Sequence, residues 1–279
     1  MPEVGIAIAM LLALGLGVRA SWVWLFRDRR LVTPWRGTRV LILAASASPA
    51  LCAMPIAFGT ADAGFRILFN GKDLSGWDGP RMIWSVQDGA ITGRTTEQNQ
   101  VKENAFLVWQ GGALANFELR ASFRLVANNE KSFANSGIYY RSRVDALSKQ
   151  VLGYQGDMDA SLPEYLGALY EDDRGTIAKC GQRVRVLRSN GKPKIEVTGA
   201  TTSAANASRL FSELVAGHWL TYVIIAEGNH IRHYVNGIPT ADVTDEDDTA
   251  ARSGVIALQV HHGPAMMVQF KNIQIKVLP

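Results

Sequence analysis

Hydrophobic and polar residues alternate along the chain from Phe65 onward. Between Phe117 and Leu125, every odd-numbered position is apolar and every even-numbered position is polar. Because successive side chains of a β-strand point to opposite faces of the sheet, this pattern predicts a strand with one buried face. Further strands are predicted at Ser136–Arg141, Leu152–Met158, Val184–Leu187, Trp219–Ala226, Val255–His261 and Met267–Val277.

Three short pairs of turn residues separate strand-like runs, at Asp88-Gly89, Asn190-Gly191 and Asn236-Gly237. Such pairs favour two-residue hairpin turns, in which both residues adopt positive φ. Many short strands, with no helical period longer than two turns, predict an antiparallel sandwich or barrel. Thr198–Ser212, rich in Ala, Ser and Thr, is predicted to be a surface loop, and Asp242–Asp248 an acidic turn or a weak metal site.

Two apolar stretches, Val4–Val18 and Val40–Phe58, occupy the N-terminus and flank an arginine-rich segment. One interpretation is a helical hairpin in the membrane whose basic loop stays in the cytoplasm. The other, which we favour, is a secretory signal in which Arg36 and Arg39 form the charged region and Ala61-Asp62-Ala63 the cleavage site.

Both interpretations divide the chain into a leader, residues 1–63, and a β-sandwich domain, residues 64–279. Both predict export of the domain to the periplasm or the cell exterior. Membrane association through residues 4–58 is compatible with either.

Composition narrows the class of protein. A hydrophobic fraction of 47% and a charged fraction of 19% are typical of a globular chain. The net charge is +4, but residues 1–63 hold six arginines and three acidic residues, so the domain carries only +1. Without a basic stripe that neutralises several phosphates, we expect no nucleic-acid partner. Cys180 is the one cysteine after residue 63, so that region has no internal disulfide.

Polar side chains share faces on three predicted strands. Alternation places Gln155, Asp157 and Asp159 on one face, and Gln259 with His261 on another. In the strand that starts at Asn135, the same alternation places Tyr139 and Arg141 on one face. Amides, carboxylates, guanidinium groups and histidines bind sugar hydroxyls, while aromatic rings pack on the apolar faces of sugars. The combination predicts a carbohydrate-binding surface.

The order and spacing of several motifs over about residues 65–278 resemble the 3-keto-disaccharide hydrolase family. These motifs are Leu68–Trp77, Trp84–Gly93, Phe117–Leu119, Asn135–Arg141, Gly153–Gln155, Asn236-Gly237, Leu258-Gln259 with His261, and Phe270–Lys276. The resemblance implies a concanavalin-A-like antiparallel β-sandwich (jelly roll), a secreted or periplasmic location, and action on oxidised glycosides. One departure is that many members carry Glu-x-Gln where this chain has Gly153-Tyr154-Gln155.

A ketone at C3 of a glucoside acidifies the hydrogen on C2, because the carbanion formed there is stabilised as an enolate. Cleavage at C1 by elimination, followed by addition of water, needs a base, an electrophile near the ketone and an acid for the leaving oxygen. His261 is the predicted general acid or base. Asp157, Asp159 or Glu171 is the alternative base. Asp157 and Asp159 are also the candidate ligands of a divalent cation that would polarise the ketone.

The remaining candidate residues would bind the substrate. Hydroxyl groups would be positioned by Asn135, Arg141, Gln155 and Gln259, and a sugar ring would stack on Tyr139 or Tyr170. The rival hypothesis is a carbohydrate-binding, lectin-like module without catalysis, since the same architecture hosts both functions. An envelope scaffold protein is a third hypothesis, supported by the apolar leader alone.

Overall fold

The computed structural model describes residues 64–279; the predicted leader, with its apolar stretches and cleavage site, lies outside the described residues. The strands within residues 64–279 are β1 Arg66–Ile67, β2 Trp77–Asp78, β3 Trp84–Gln87, β4 Ala90–Arg94, β5 Ala105–Trp109, β6 Phe117–Ala127, β7 Asn135–Val144, β8 Val151–Asp159, β9 Leu169–Glu171, β10 Gly175–Ala178, β11 Gln182–Ser189, β12 Lys192–Ala200, β13 Leu220–Glu227, β14 His230–Val235, β15 Ile238–Asp245, β16 Val255–Val260 and β17 Met266–Val277. One α-helix, α1, spans Ala204–Val215, and a short 3₁₀ helix spans Pro163–Tyr165.

The strands form two sheets that share one hydrophobic core. The ten-stranded sheet has the order β12-β11-β15-β14-β13-β6-β17-β4-β3, with β1 paired to β17. The seven-stranded sheet has the order β10-β9-β8-β7-β16-β5-β2. Neighbouring strands run antiparallel, except that β11 and β15 run parallel. The all-β, antiparallel sandwich predicted from the sequence is confirmed, and it is a jelly roll of the concanavalin-A-like kind.

The strand predicted from Phe117 to Leu125, with one buried face, is confirmed as part of β6. The side chains of Phe117, Leu119 and Phe123 are buried in the core, while the intervening polar positions are partly exposed. This strand lies between β13 and β17, so both of its edges are paired. Its apolar face therefore contributes to the hydrophobic core between the two sheets.

The three predicted hairpin turns are also present. Both residues of Asp88-Gly89, Asn190-Gly191 and Asn236-Gly237 have positive φ, between 48° and 74°. Those values are typical of type I′ turns, whose twist matches that of the flanking strands. Each pair joins two consecutive antiparallel strands. These local signals therefore set three of the strand connections.

The prediction of a surface loop over Thr198–Ser212 is wrong. The first residues of that segment end β12, and α1 begins at Ala204 after an N-cap, Ser203, whose side chain accepts a hydrogen bond from the backbone N–H of Asn206. Only Leu210 and Leu214 of the helix are buried. The large apolar residues of the helix, Leu210, Phe211, Leu214 and Val215, span less than two turns, so the periodic signal is short and packing against the sandwich decides. Within residues 64–279, no helix has the length and apolar character required to cross a bilayer.

The segment Asp242–Asp248 is mostly strand and ion pairs, not the solvated connection or metal site that its acidity predicts. Its first four residues end β15, and its carboxylates pair with arginines. Asp245 and Asp247 are fully buried, whereas Asp248, in the turn that follows, is 78% exposed and shares Arg188 with Asp247. Residues 64–279 contain no group of three or more His, Cys, Asp or Glu side chains that could hold a metal ion. The ion pairs are Asp242–Arg183, Asp245–Arg174, Glu246–Arg185 and Asp247–Arg188.

Candidate functional site

Seven polar or aromatic side chains lie together on the side of the seven-stranded sheet that faces away from the main core. We call this set the polar face. Strand register sets the arrangement: Gln155 of β8 is paired with Tyr139 on β7 and with Tyr170 on β9, while Asp159 is paired with Asn135. The members of the polar face are Asn135, Tyr139, Gln155, Asp157, Asp159, Tyr170 and Gln259.

Two glutamines connect the strands at the centre of the polar face. The amide of Gln155 donates to Gln259 Oε1 at 3.0 Å and to the backbone oxygen of Ser136 at 3.3 Å. Gln259 in turn donates to the hydroxyl of Tyr139 at 3.4 Å. Gln155 crosses the position of Gly137, where a Cβ would lie only 2.2 Å from the Gln155 amide nitrogen. The absence of a side chain at Gly137 therefore makes room for the bridge between β8 and β16.

Asn135 joins the two carboxyl groups of the polar face. Its side-chain nitrogen donates to Asp157 Oδ1 at 3.3 Å and to Asp159 Oδ2 at 3.0 Å. The other oxygen of Asp159 accepts hydrogen bonds from the backbone nitrogen and hydroxyl of Ser161 and from the backbone nitrogen of Leu162. Asp159 thus fixes the loop after β8, and its negative charge is held close to Asp157.

Asp157 is in an environment that favours its protonated form. It is 8% exposed. Burial, with the nearby charge of Asp159, raises the pKa of Asp157 to about 8, although hydrogen bonds from the Met158 backbone and Asn135 oppose the shift. At neutral pH the Asp157 carboxyl group therefore holds a proton that it can donate.

His261 lies directly after β16 and beside Asn135. Its backbone N–H donates to the carbonyl oxygen of Asn135 at 3.3 Å. Its Nδ1 donates to the carbonyl oxygen of His262 at 2.6 Å, which leaves the lone pair of a neutral ring on Nε2. No hydrogen bond to Nε2 occurs within residues 64–279. Burial lowers the pKa of His261 below its usual value of 6.5, so the ring is a neutral base at neutral pH.

One polar residue near this site is absent from the sequence-based candidates. Asp172 accepts a hydrogen bond from the backbone nitrogen of Gly153 at 2.8 Å. Burial and the Asp172 charge both raise the pKa of Tyr139 well above its usual value, so these two side chains are close neighbours. Burial also raises the pKa of Asp172 itself. Asp172 is two residues after Tyr170, so the period of two that placed the other candidates could have found it.

The structure places Arg141 away from the polar face, and the predicted pairing of its side chain with Tyr139 is wrong. A bulge between Tyr140 and Arg143 breaks the alternation of β7, and Arg141 has a φ of 47°. Arg141 is 2% exposed, and its guanidinium group donates to the carbonyl oxygens of Ala115 and Gly228 at 2.7 Å. Arg141 therefore connects the seven-stranded sheet to loops of the other sheet.

Glu171 is also directed away from the polar face. It follows Tyr170 directly on β9, so its side chain points to the opposite side of the sheet. There it accepts a hydrogen bond from Arg174 at 2.9 Å, and Arg174 also pairs with Asp245 at 2.8 Å. The prediction that Glu171 serves as a base at the same site as Asp157 is therefore wrong.

The donor set does not fit the divalent cation predicted at Asp157 and Asp159. The amide nitrogen of Asn135, a hydrogen-bond donor, lies between the two carboxyl groups and contacts both. No third His, Cys, Asp or Glu completes a ligand group within the described part of the chain. Divalent cations bound by carboxylates need oxygen ligands on several sides.

The site combines a protonated carboxyl group with a neutral imidazole at the same pH. Asn135 contacts both residues, through its side chain to Asp157 and through its backbone oxygen to His261. Opposite pKa shifts in neighbouring groups are the usual means by which a site carries an acid and a base together. The arrangement can remove a proton from one atom of a bound molecule and donate a proton to another.

Comparison with known proteins gives one family match. The model of the 3-keto-alpha-glucoside-1,2-lyase-like domain matches residues 64–276. No curated protein matches the chain. Among solved structures, a candidate glycosyl hydrolase from Parabacteroides distasonis is 20% identical, with a TM-score of 0.48, and the match covers 78% of this chain and 95% of that one. A carbohydrate binding module from Bacillus subtilis is 15% identical, with a TM-score of 0.45 and coverages of 76% and 99%. At these identities the likeness concerns the β-sandwich alone.

Proposed function

Because the chain belongs to the family of 3-keto-alpha-glucoside-1,2-lyase-like domains, we propose that it is an enzyme that cleaves 3-keto-glycosides, including 3-keto-disaccharides, at the bond to C1. The observation that carries the proposal is the pair formed by a protonated Asp157 and a neutral His261, each in contact with Asn135. This pair supplies the acid and the base that the reaction needs.

The first step is an elimination. Nε2 of His261 takes the proton from C2, which the neighbouring ketone acidifies, and the electron pair of that C–H bond forms the C1–C2 double bond. The bond between C1 and the glycosidic oxygen breaks, and Asp157 donates its proton to the departing oxygen. The products are a free alcohol and an unsaturated ketone, with His261 protonated and Asp157 ionised.

Addition of water then completes the hydrolysis. Ionised Asp157 accepts a proton from a water molecule whose oxygen attacks C1, and protonated His261 returns a proton to C2. Both residues recover their starting states, and the net reaction is hydrolysis. Release of the unsaturated ketone before water adds would make the same site a lyase.

The remaining residues of the polar face would hold the sugar. Gln155 and Gln259 together present amide oxygens and nitrogens that match hydroxyl groups, since each amide can both accept and donate. Tyr139 and Tyr170 flank Gln155 along the same row of the sheet. Tyr139 is 1% exposed and packs edge-on against Phe106, so the partly exposed Tyr170 is the ring that would pack on the apolar side of the pyranose. The sugar ring would thereby lie across β8, with C1 and C2 toward Asp157 and His261.

The direct test is incubation of the purified protein with 3-keto-trehalose and with a 3-keto-aryl-glucoside, with products followed by mass spectrometry. We expect release of the alcohol from each oxidised substrate and no release from unoxidised trehalose. His261→Gln should reduce turnover by about 10²–10⁴ fold, the usual contribution of a positioned base. His218→Gln, a change of the same kind after α1, should leave turnover unchanged. Equal turnover in all three proteins would remove His261 from the mechanism.

A carbohydrate-binding module without catalysis is the second candidate. The Gln155–Gln259–Tyr139 network favours it, because those side chains can bind hydroxyl groups without any proton transfer. Such a module should retain an unoxidised sugar and leave a 3-keto substrate intact. Calorimetry with trehalose, beside the turnover assay, separates the two functions.

We also propose that the chain is exported, with the domain acting in the periplasm or outside the cell. The sequence of residues 1–63 supports this proposal through its apolar stretches and basic segment. N-terminal sequencing of the protein recovered from the exported fraction tests it. A new N-terminus near Gly64 is expected from a cleaved signal, whereas recovery of the protein only from the cytosol would contradict export.

A further inference from the structure

Two aromatic rings pack against the imidazole of His261. The ring of His262 stacks on it, with the ring centroids 4.3 Å apart and an angle of 24° between the planes. The ring of Phe133 packs edge-on against it, with the centroids 5.7 Å apart. These contacts limit the orientations that the His261 ring can adopt, but they do not decide which of its two nitrogens carries the proton.

Asn104 holds His262 through two hydrogen bonds. Its Oδ1 accepts from the backbone N–H of His262 at 3.0 Å and from His262 Nδ1, also at 3.0 Å. A backbone N–H can only donate, so the atom of Asn104 that faces it is the oxygen, and the ring nitrogen must donate as well. Asn104 directly precedes β5, whose first residue, Ala105, is paired with Val260 at the end of β16. Strand register therefore brings Asn104 to the pair of histidines.

Asn104 is itself held from a third strand. Its backbone oxygen accepts a hydrogen bond from Gln150 Nε2 at 3.1 Å, and Gln150 directly precedes β8. The Asn104 side chain is thus connected to two strands of the seven-stranded sheet besides β16. It can act as a fixed acceptor for His262.

The peptide held by Asn104 decides where the proton of His261 lies. The carbonyl oxygen of His262 accepts from His261 Nδ1 at 2.6 Å, so Nδ1 carries the proton and Nε2 the lone pair. A neutral imidazole in water prefers the opposite tautomer, with its proton on Nε2. A histidine that accepts a proton through Nε2 therefore needs an acceptor at Nδ1. The same arrangement orients metal-binding histidines, whose second ring N–H donates to a backbone oxygen or a carboxylate.

The His261 ring lies close to the carboxyl groups of the polar face. Burial lowers the pKa of His261, and the charge of Asp159 opposes that shift, which places the ring within electrostatic reach of this carboxylate. A continuous series of contacts therefore leads from Asn104 through His262 to the ring of His261 at the polar face.

We propose that Asn104 is a positioning residue for the elimination, which through His262 holds His261 in the tautomer whose Nε2 can accept the proton from C2. This inference rests on the proposed function, in which His261 is the base. Asn104 needs no contact with the sugar. Its side chain orients the His262 peptide, and the oxygen of that peptide fixes the proton of His261 on Nδ1.

The first measurement is the tautomer of His261 in the full chain, by NMR of protein labelled with ¹⁵N-histidine, at mildly alkaline pH and without substrate. The chain has five histidines, and the ring signals missing from His261→Gln identify His261. We expect the parent to carry the proton on Nδ1. Asn104→Ala removes the acceptor and should shift the Nδ1 signal toward that of a nitrogen with a lone pair. Asn104→Asp keeps the acceptor oxygens and should keep the parent tautomer.

The second measurement is turnover of a 3-keto-aryl-glucoside. Asn104→Ala should lower kcat about 10–100 fold, the usual cost of losing a group that orients a histidine, and change KM by about twofold or less. Asn104→Asp should restore most of kcat. Asn99→Ala alters another asparagine between β4 and β5, whose side-chain nitrogen lies 3.5 Å from the carbonyl oxygen of Met82, and should match the parent in both measurements.

Thermal unfolding establishes that each variant is folded. If Asn104→Ala is not, Asn104→Leu takes its place, because leucine keeps the size of the side chain without an acceptor. The proposal is overturned if the variant without an acceptor keeps the parent tautomer, if Asn104→Asp loses that tautomer to the same extent, or if Asn99→Ala has an equal effect. Absence of turnover in the parent would contradict the proposed function itself, whereas parent turnover with a tautomer independent of Asn104 overturns this proposal alone.

Discussion

The side chain of Gln155 spans the backbone of Gly137 to donate a hydrogen bond to Gln259 at 3.0 Å. This bond links β8 to β16 across the intervening strand β7. Both glutamines are almost fully buried, at 4% and 1% exposed, so the bond is shielded from competing water. It fixes the orientation of the amides that would receive the substrate.

Gly137→Ala should therefore impair substrate binding. The new methyl group would lie 2.2 Å from the Gln155 amide nitrogen and displace that side chain from Gln259. We expect a rise in KM larger than the fall in kcat, together with a loss of about 1–3 kcal/mol of stability, the usual cost of overpacking. Steady-state kinetics and urea unfolding measure the two effects. Gly199→Ala is the matched control, because a Cβ at this position of β12 would meet only the end of the Arg183 side chain, at 4.0 Å; an equal effect of both changes would contradict the prediction.

The activity of the parent protein should fall at alkaline pH. Asp157 must be protonated to act as the acid, and its pKa is raised to about 8. On the acid side, activity should decline below pH 6.5, where His261, with its lowered pKa, becomes protonated. The measurement is kcat/KM for a 3-keto-aryl-glucoside between pH 4 and pH 10.

Asp157→Asn should abolish the alkaline decline and lower the maximum rate by about 10²–10⁴ fold. Asparagine can still accept the hydrogen bond from the Met158 backbone, so we expect the fold to persist. Asp248→Asn, at a site 78% exposed, is the control and should keep the parent profile. If Asp157→Asn shows the same alkaline decline as the parent, another group is the acid.

Asp245→Asn should strongly destabilise the domain. The Asp245 side chain is fully buried, pairs with Arg174 at 2.8 Å and accepts from the hydroxyl of Tyr154 at 2.6 Å. Loss of its charge leaves the Arg174 guanidinium without one of its two carboxylates, so we expect a loss of about 3–5 kcal/mol. The exposed pair between Asp242 and Arg183 offers the comparison, and Asp242→Asn should cost about 1 kcal/mol or less. Urea unfolding at neutral pH would refute this ranking if the two losses were equal.

His233 should make the domain sensitive to mild acid. Burial lowers the pKa of His233 to about 4, and its ring contacts the hydroxyls of Tyr140 at 2.7 Å and Tyr222 at 3.1 Å. Between pH 6.5 and about 4 the unfolded chain therefore binds a proton at this residue that the folded chain does not. The contribution of neutral His233 to stability is present above pH 6.5 and is lost as the pH falls through that range.

The matching measurement is the free energy of unfolding of the parent and of His233→Gln as a function of pH. The difference between the two proteins should change in favour of the variant as the pH falls from 6.5 to about 4. Taking the difference cancels the opposite contribution of Asp157, whose raised pKa makes stability fall as pH rises. A difference that stays constant over this range would show that His233 titrates alike in both states.

Much of the polar face could be predicted from the sequence. Alternation along β8 placed Gln155, Asp157 and Asp159 on a single face, and the same rule placed Gln259 and His261 on the face opposite the apolar residues of β16. The rule works because side chains alternate strictly wherever a strand is regular. It failed at Arg141, where a bulge shifts the alternation, and it missed α1, whose apolar stripe is too short to be recognised.

The sequence by itself determined the sandwich class, the hairpin turns and the faces of the regular strands, because these depend on residues close together in the chain. Only the tertiary structure decided that the Asp157 carboxyl is protonated while the His261 ring is neutral, and that Glu171 pairs with Arg174 instead of facing a ligand. Protonation and ion pairing depend on burial and on charges brought from distant strands. Those neighbours are set by the order and register of strands across both sheets, which no local pattern records.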